Sequence, residues 1–243
     1  MDVRLYCFAH AGAGVSSFDR WHERSGQGAD IVPVLLPGRE ARRREPRPTG
    51  RDALLGDLFG PLAAAAAADG PYALYGHSLG GLVAYTLARA LLEAGLPAPE
   101  FLAVGACPAP DTAPLRDTGS LSDAELLSFV GDMGAAPTGL LAEQGSVWHR
   151  VVLPVLRDDV VLADALRAAA KDPATGGPLP VPVLAVDGEH DPAVAAAAVD
   201  AWQNWTTERC VRRTVPGDHF FVRDREIAEL LGRACRVARR RPV

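Results

Sequence analysis

Short apolar runs alternate with longer stretches of helical periodicity along most of this chain. The runs are rich in β-branched and aromatic residues, and they predict strands at residues 3–8, 31–36, 72–75, 101–106, 181–187 and 211–215. The clearest helical stretch follows Tyr75, where apolar residues between positions 79 and 91 share one face and Gly95 ends the pattern. Such alternation predicts an α/β fold with a mostly parallel central sheet and helices on both faces.

One long segment breaks this alternation. From about residue 112 to residue 171 the sequence shows helix signals and no convincing strand. Ser122 and Glu125 have capping-box spacing ahead of an apolar run, and Pro154 is expected to start or kink a second helix over residues 147–169. A helical insertion between two strands of an α/β sheet is often a lid over the active site. We therefore predict a single domain over residues 1–243, with a helical lid at about residues 112–171.

Composition narrows the class of protein. With 243 residues, 48% hydrophobic and 23% charged, the chain resembles ordinary folded proteins, and the formal net charge of −5 argues against a nucleic-acid partner. The N-terminus lacks the features of a signal peptide, and glycines break the longest uncharged run, residues 70–88, so we expect no membrane partner. Four widely spaced cysteines without a CxxC pair indicate reduced, mostly buried thiols and a cytoplasmic location.

The strongest chemical signal is the run from Gly76 to Gly80, which reads G-x-S-x-G between a predicted strand and a predicted helix. This spacing places Ser78 on a sharp strand-to-helix turn as a nucleophile. The same turn aims the backbone N–H of Leu79, at the helix N-terminus, toward a developing oxyanion. The alternative is a glycine-rich turn with an incidental serine, and the strand–turn–helix context favours the nucleophile.

A serine nucleophile needs a base and an acid that orients the base. In hydrolases of this kind the chain order is serine, then acid, then histidine. Only His190 and His219 lie late enough outside the helical insertion, and His219 falls in a loop after the last predicted strand. Position alone leaves three candidate acids, with the last somewhat favoured because it precedes a proline: Asp187, Glu189 and Asp191.

The loop after the first predicted strand, residues 8–14, consists largely of small residues and is expected to supply a second oxyanion donor. A rival interpretation is a dinucleotide-binding fingerprint formed by Gly12 and Gly14, although Ser17 stands where that motif has its third glycine. This nucleotide-binding module leaves the candidate nucleophile, base and acid unexplained. His10 in this loop has no partner at metal-ligand spacing, so we expect it to pack or hydrogen-bond within the loop.

Six arginines stand between residues 39 and 51, against only Glu40 and Glu45 in the same segment. One interpretation is a solvated loop. The other is a contact surface for an acidic protein or a phosphate.

Several motifs outside the turn from Gly76 to Gly80, called the elbow from here on, carry a resemblance to a known family. Residues 8–12 with Trp21 are similar to its F-x-H-A-G…W opening, and residues 36–42 to its L-P-G-R-x-x-R stretch. Residues 121–123, 133–134 and 153–159 resemble its lid segment, while residues 188–192 and 217–221 resemble its acid and base motifs. By these motifs the whole chain resembles the type II thioesterases of polyketide and nonribosomal peptide synthesis, which are discrete α/β-hydrolases.

The resemblance implies a fold, an activity and site residues. It implies the α/β-hydrolase fold, Asp191 as the triad acid, and the Ala11 amide as the second oxyanion donor. The implied substrate is an acyl thioester on the phosphopantetheine arm of an acyl or peptidyl carrier protein, hydrolysed through an acyl-Ser78 intermediate in an editing role. No metal or cofactor of the enzyme's own is implied. A product-releasing thioesterase or a small-ester hydrolase is the alternative, and Arg43 and Arg44 are the candidate carrier contacts.

Overall fold

Six parallel strands form the central sheet of the computed structural model, which describes residues 1–112, 118–135 and 145–239. Their spatial order is β2-β1-β3-β4-β5-β6, and the strands are β1 Val3–Phe8, β2 Ala29–Pro33, β3 Tyr72–His77, β4 Leu102–Gly105, β5 Val183–Gly188 and β6 Cys210–Val215. The chain leaves β1 toward one edge and then returns to β3 on its other side. The loops that follow β1 and β3 therefore diverge at the carboxyl edge, where open parallel sheets bind ligands.

Helices cover both faces of the sheet, and the predicted fold class is confirmed. They are α1 Trp21–Arg24, α2 Arg51–Ala67, α3 Leu79–Glu93, α4 Asp123–Asp132, α5 Leu153–Lys171, α6 Ala196–Asp200 and α7 Arg225–Ala238. Short 3₁₀ turns lie at Val15–Phe18, Glu40–Arg42, Ala201–Trp205 and Phe221–Arg223, and a π-helical turn at Trp148–Val152 leads into α5.

Alternate residues of the strands face two separate cores. In β1, Tyr6 and Phe8 join the core that contains the buried residues of α2 and α3, whereas Leu5 and Cys7 join the opposite core. The fully buried Trp21 and the inner face of α7 fill that second core. This period of two is what a parallel strand covered on both faces requires.

The second strand differs most from its predicted position. It covers Ala29–Pro33, whereas the apolar pattern placed it at residues 31–36. The strand lies at the edge of the sheet, pairs with β1 alone, and ends at Pro33, which has no N–H to donate. The apolar residues that follow continue past the sheet as a loop, in which Leu36 is buried beside α2 and α3.

Among the described residues between 112 and 171, all regular structure is helical, as predicted. Ser122 and Glu125 form the predicted capping box at the start of α4, and Pro154 occupies the first turn of α5, where its missing N–H is harmless. Residues 113–117 and 136–144 of the predicted lid lie outside the described residues. The single-domain organisation and the lid role stay predictions.

Two expectations from composition concern thiols and membranes. All four cysteines are free, and Cys7, Cys107 and Cys235 are buried, as predicted. Within the described ranges, no helix combines the length and the apolar character needed to cross a membrane.

Candidate active site

Ser78 lies between β3 and α3 in a strained backbone conformation, with φ 54° and ψ −118°. Its N–H donates to the Gly105 carbonyl of β4 at 2.7 Å, which holds the turn against the sheet. A Cβ on Gly76 would stand 1.8 Å from the Gly80 carbonyl oxygen, and one on Gly80 would stand 2.1 Å from the Phe8 carbonyl oxygen. Both motif glycines are therefore required by close backbone packing.

The structure brings three of the predicted site residues together at the carboxyl edge. His219 Nε2 lies 3.2 Å from Ser78 Oγ, and His219 Nδ1 lies 2.9 Å from Asp191 Oδ2. The side chain of Asp191 is fully buried and that of His219 is 7% exposed. In this arrangement Asp191 orients the imidazole, and Nε2 is available to take the serine proton.

The other two candidate acids point elsewhere. Both carboxylate oxygens of Asp187 accept hydrogen bonds from Arg212 of β6, at 2.7 and 2.9 Å, and Thr214 donates to one of them at 3.1 Å. Asp187 thus ties β5 to β6. Glu189 is exposed in the following loop. Of the three carboxylates, Asp191 is the one that the fold delivers to His219.

His77, which precedes Ser78 at the first x of the G-x-S-x-G motif, supports the backbone of His219. Tyr75 donates its hydroxyl proton to His77 Nδ1 at 2.9 Å, and His77 Nε2–H donates to the His219 carbonyl at 2.7 Å. Complete burial lowers the pKa of His77 well below its usual value, which keeps the ring neutral and preserves this donor–acceptor pattern. Sequence reasoning missed this support, because nothing in the motif distinguishes this position.

The two predicted oxyanion donors lie beside Ser78. Leu79 is the first residue of α3, so its N–H has no acceptor within the helix. Ala11 lines the same cavities as Ser78. His10 Nδ1–H donates to the Ala11 carbonyl at 3.0 Å, and burial lowers the pKa of His10 to about 3, so the ring stays neutral. The loop role predicted for His10 agrees with this contact.

A buried ion pair joins this loop to α5. Arg39 donates to Asp159 through two bonds, at 3.0 and 2.8 Å, and the two side chains are 6% and 0% exposed. Asp159 also accepts the Gly12 N–H at 2.7 Å, and Arg39 donates to the Ala13 carbonyl at 3.1 Å. Burial raises the pKa of Asp159, while Arg39 and the Gly12 N–H oppose that shift. The sequence did not predict this contact, because Arg39 and Asp159 stand 120 residues apart along the chain.

The remaining arginines of the 39–51 segment divide into two groups. Three pair with carboxylates that mostly lie outside the segment: Arg42 with Glu45 and Asp57, Arg47 with Asp158, and Arg51 with Glu93. Arg43 and Arg44 are exposed, and within the part of the chain that the structure describes they have no ion pair. The concentrated positive charge expected from the sequence is therefore reduced to these two side chains.

Two cavities meet at Ser78, and Ala11, Leu156 and His219 line both of them. The first cavity, of about 250 Å³, lies among α3, α4 and α5 and has mostly apolar walls, including Leu79, Leu82, Leu126, Phe129, Val130, Met133, Val160 and Ala163. The second cavity, of about 320 Å³, opens on the other side and is lined by His10, Ser16, Ser17, Trp148, Phe220 and Arg223. A substrate with two arms could place its reacting bond at the junction.

The geometry weakens the rival nucleotide-binding interpretation. After Gly14 the chain forms a 3₁₀ turn of four residues, not the long helix whose N-terminus binds a pyrophosphate. A Cβ on Gly14 would stand 2.2 Å from Glu40 Oε1, so this glycine makes room for a protein side chain. Across the described residues, no group of three or more His, Cys, Asp and Glu side chains could hold a metal ion.

Comparisons with known proteins span nearly the whole chain. A family model described as a thioesterase domain matches residues 3–235. The chain is 32% identical to the thioesterase PikA5 of Streptomyces venezuelae, over 91% of this chain and 76% of the relative. The solved structure of RedJ, a thioesterase from the prodiginine biosynthetic pathway in Streptomyces coelicolor, matches with 33% identity and a TM-score of 0.82, over 95% of this chain and 89% of that one. YbtT, a type II thioesterase from the yersiniabactin NRPS/PKS biosynthetic pathway, matches with 28% identity and a TM-score of 0.84, over 97% and 94%.

Proposed function

Because the chain belongs to the thioesterase domain family, and is thus a hydrolase acting on thioesters, we propose that it is a discrete editing enzyme. Its substrates are short acyl groups on the phosphopantetheine arm of an acyl or peptidyl carrier protein in polyketide or nonribosomal peptide synthesis. The observation that carries this proposal is the position of Ser78, hydrogen-bonded to His219 at the junction of two cavities. The acyl group enters the first cavity and the pantetheine arm occupies the second.

In the proposed reaction, Ser78 Oγ attacks the thioester carbonyl while His219 Nε2 takes its proton. Asp191 stabilises the resulting imidazolium through the 2.9 Å bond to Nδ1. The backbone N–H groups of Leu79 and Ala11 bind the oxyanion of the tetrahedral intermediate. When this intermediate collapses, the C–S bond breaks and His219 returns the proton to the leaving pantetheine thiolate. An acyl-Ser78 ester is left.

Deacylation repeats these steps with water as the nucleophile. His219 removes a proton from the water, the same two amides hold the second oxyanion, and the carboxylic acid leaves as Ser78 recovers its proton. The chain's own residues handle every proton and charge, so the proposal requires no metal or cofactor of the enzyme.

The size of the first cavity favours editing over product release. At about 250 Å³ it is smaller than the usual range of ligand pockets, about 300–1,000 Å³, and suits a short acyl chain better than a mature product. The type II thioesterase of the yersiniabactin pathway, similar over 97% of this chain, supports the same assignment.

The direct test is intact-protein mass spectrometry of carrier proteins loaded with acetyl, butyryl, hexanoyl or a mature chain, before and after the enzyme is added. We expect the mass of the short acyl groups to disappear and the free thiol to appear, with the mature chain retained. Preferential removal of the mature chain would identify a product-releasing enzyme instead. Hydrolysis of small esters with every loaded carrier left intact would identify a small-ester hydrolase.

A further inference from the structure

One face of α5 forms a wall of the first cavity. Its lining residues recur at helical spacing, so that apolar side chains, among them Leu156, Val160 and Ala163, are followed by Arg167 along the same face. Arg167 and Leu82 both act on the Cys107 thiol, because the arginine's charge and a hydrogen bond with the Leu82 backbone lower its pKa against the effect of burial. Leu82 lies one turn of α3 beyond Leu79, a rise of about 5 Å. A guanidinium therefore lines the same cavity as Ser78.

Arg167 differs from most arginines of this protein because the described part of the chain gives it no ion-pair partner. Among those residues, its buried Nε has no hydrogen-bond acceptor and no carboxylate lies within 4.0 Å of the side chain. By contrast, Arg39 donates two hydrogen bonds to Asp159 of α5. A buried donor without an acceptor is costly unless water or a ligand satisfies it.

The other ionisable groups around the first cavity leave this cation largely uncompensated. Asp159 lines the cavity, but its charge is matched by Arg39. Burial raises the pKa of the Cys107 thiol to about 12, so it is neutral. Asp164 stands one turn before Arg167 on α5, and its carboxylate is exposed to water, which screens it. Arg167 thus lines the cavity with no carboxylate within ion-pair distance among the described residues.

We propose that Arg167 forms a subsite for a carboxylate at the far end of a short acyl chain, so that this enzyme favours dicarboxylic acyl groups such as succinyl or glutaryl. A guanidinium recognises a carboxylate through paired, charge-assisted bonds. The apolar wall between Ser78 and Arg167 packs the methylene groups that join the thioester to the carboxylate. This inference rests on the proposed function and names its substrate class.

The test compares two N-acetylcysteamine thioesters of similar length that differ in the distal group, succinyl and pentanoyl. We expect the wild type to have the higher kcat/KM for succinyl. Arg167→Met retains the apolar stem and removes the charge. It should lower kcat/KM for succinyl by about tenfold or more, because a charge-assisted bond is lost, and leave that for pentanoyl unchanged or raised. Asp164→Asn removes a nearby negative charge, so it should slightly raise the ratio of kcat/KM for succinyl to kcat/KM for pentanoyl.

Lys171→Met is the matched control, since it removes a positive charge one turn further along α5, at an exposed position outside the first cavity. It should leave the succinyl-to-pentanoyl ratio unchanged. The proposed subsite would be contradicted if Arg167→Met lowers kcat/KM equally for both thioesters, or if the wild type has the higher kcat/KM for pentanoyl. Titration of both thioesters into Ser78→Ala by calorimetry measures the same preference without turnover. If neither thioester is hydrolysed but succinyl still binds more tightly, the proposed function fails and the subsite stands.

Discussion

The two sides of the active site are assembled by different kinds of interaction. On the sheet side, the strained backbone of Ser78, the glycines around it and the bonds from His219 to Asp191 fix the reacting atoms. On the α5 side, the wall is held by ion pairs between segments more than a hundred residues apart, of which the buried Arg39–Asp159 pair is the centre. The backbone around Ser78 on the sheet side is packed without space for a larger residue. The α5 side depends instead on paired charges, so a single substitution can leave one of them without its partner.

This difference has energetic consequences. An added Cβ at Gly76 or Gly80 would overlap backbone atoms, so the sheet side has no means of relaxing around the change. A buried ion pair contributes little net stability against an apolar replacement, but removing one partner alone costs about 3–5 kcal/mol because a charge stays buried. We therefore expect truncation of the reacting side chains on the sheet side to act on chemistry with the fold retained, and loss of one partner of the buried pair on the α5 side to act on stability and loop position together.

The largest effect is expected from Ser78→Ala. The substitution removes the nucleophile and leaves both elbow glycines in place, so thioester hydrolysis should fall by about a thousandfold or more. The free energy of unfolding, measured by urea titration, should change little. Activity within about tenfold of wild type would contradict covalent catalysis by this serine.

The next largest effect is expected from Asp191→Asn, set against Asp187→Asn. The first change removes the acceptor that orients His219 Nδ1–H, and kcat/KM should fall by about a hundredfold or more. The second breaks the bonds to Arg212 and Thr214, so it should mainly lower the thermal midpoint and leave kcat/KM within a few-fold. Steady-state kinetics and thermal melts of both variants test this, and a larger kinetic loss in Asp187→Asn would reassign the acid.

A pair of neighbouring aspartates on α5 tests the other side of the site. Asp159→Asn leaves the buried Arg39 charge uncompensated and weakens the acceptor for the Gly12 N–H. We expect it to cost about 3 kcal/mol of unfolding free energy. It should also lower kcat several-fold, because the loop that carries the Ala11 amide is less firmly held.

Asp158→Asn is the control for that change. Asp158 is 34% exposed and pairs with Arg47 near the surface, so its loss should cost under about 1 kcal/mol and leave kcat unchanged. Urea titrations and kinetics distinguish the two variants. If both variants lose the same unfolding free energy, burial of the Arg39–Asp159 pair does not make its loss more destabilising than that of a surface pair.

The same contrast explains how much of the molecule the sequence could predict. The elbow at Ser78 was predictable because its signal lies within five residues between a strand and a helix. His219 followed from chain order, but its acid was ambiguous from position, since the direction of Asp187 depends on the neighbouring strand. The Arg39–Asp159 pair left no local pattern. Counting only the acidic residues near the 39–51 segment therefore overstated its free positive charge.

The smallest effect is expected at Arg43 and Arg44, the exposed arginines of that segment. If they contact an acidic carrier protein, the double variant Arg43→Glu/Arg44→Glu should raise the apparent KM for acyl-carrier substrates several-fold. The penalty should shrink as salt is added, because screening weakens attraction between exposed charges. Activity on an N-acetylcysteamine thioester, which needs no carrier contact, should barely change.

The arginines that have partners supply the control for this surface. Arg42 carries the same charge a residue earlier but is held by Asp57 and Glu45, so Arg42→Met should disturb the loop and affect carrier-bound and small substrates alike. The docking contact would be placed on Arg43 and Arg44 if their double variant loses activity on carrier-bound substrates only, while Arg42→Met loses activity equally on carrier-bound and small substrates. If the KM for carrier substrates does not change at low salt, Arg43 and Arg44 form a solvated loop surface, and the carrier binds the enzyme elsewhere.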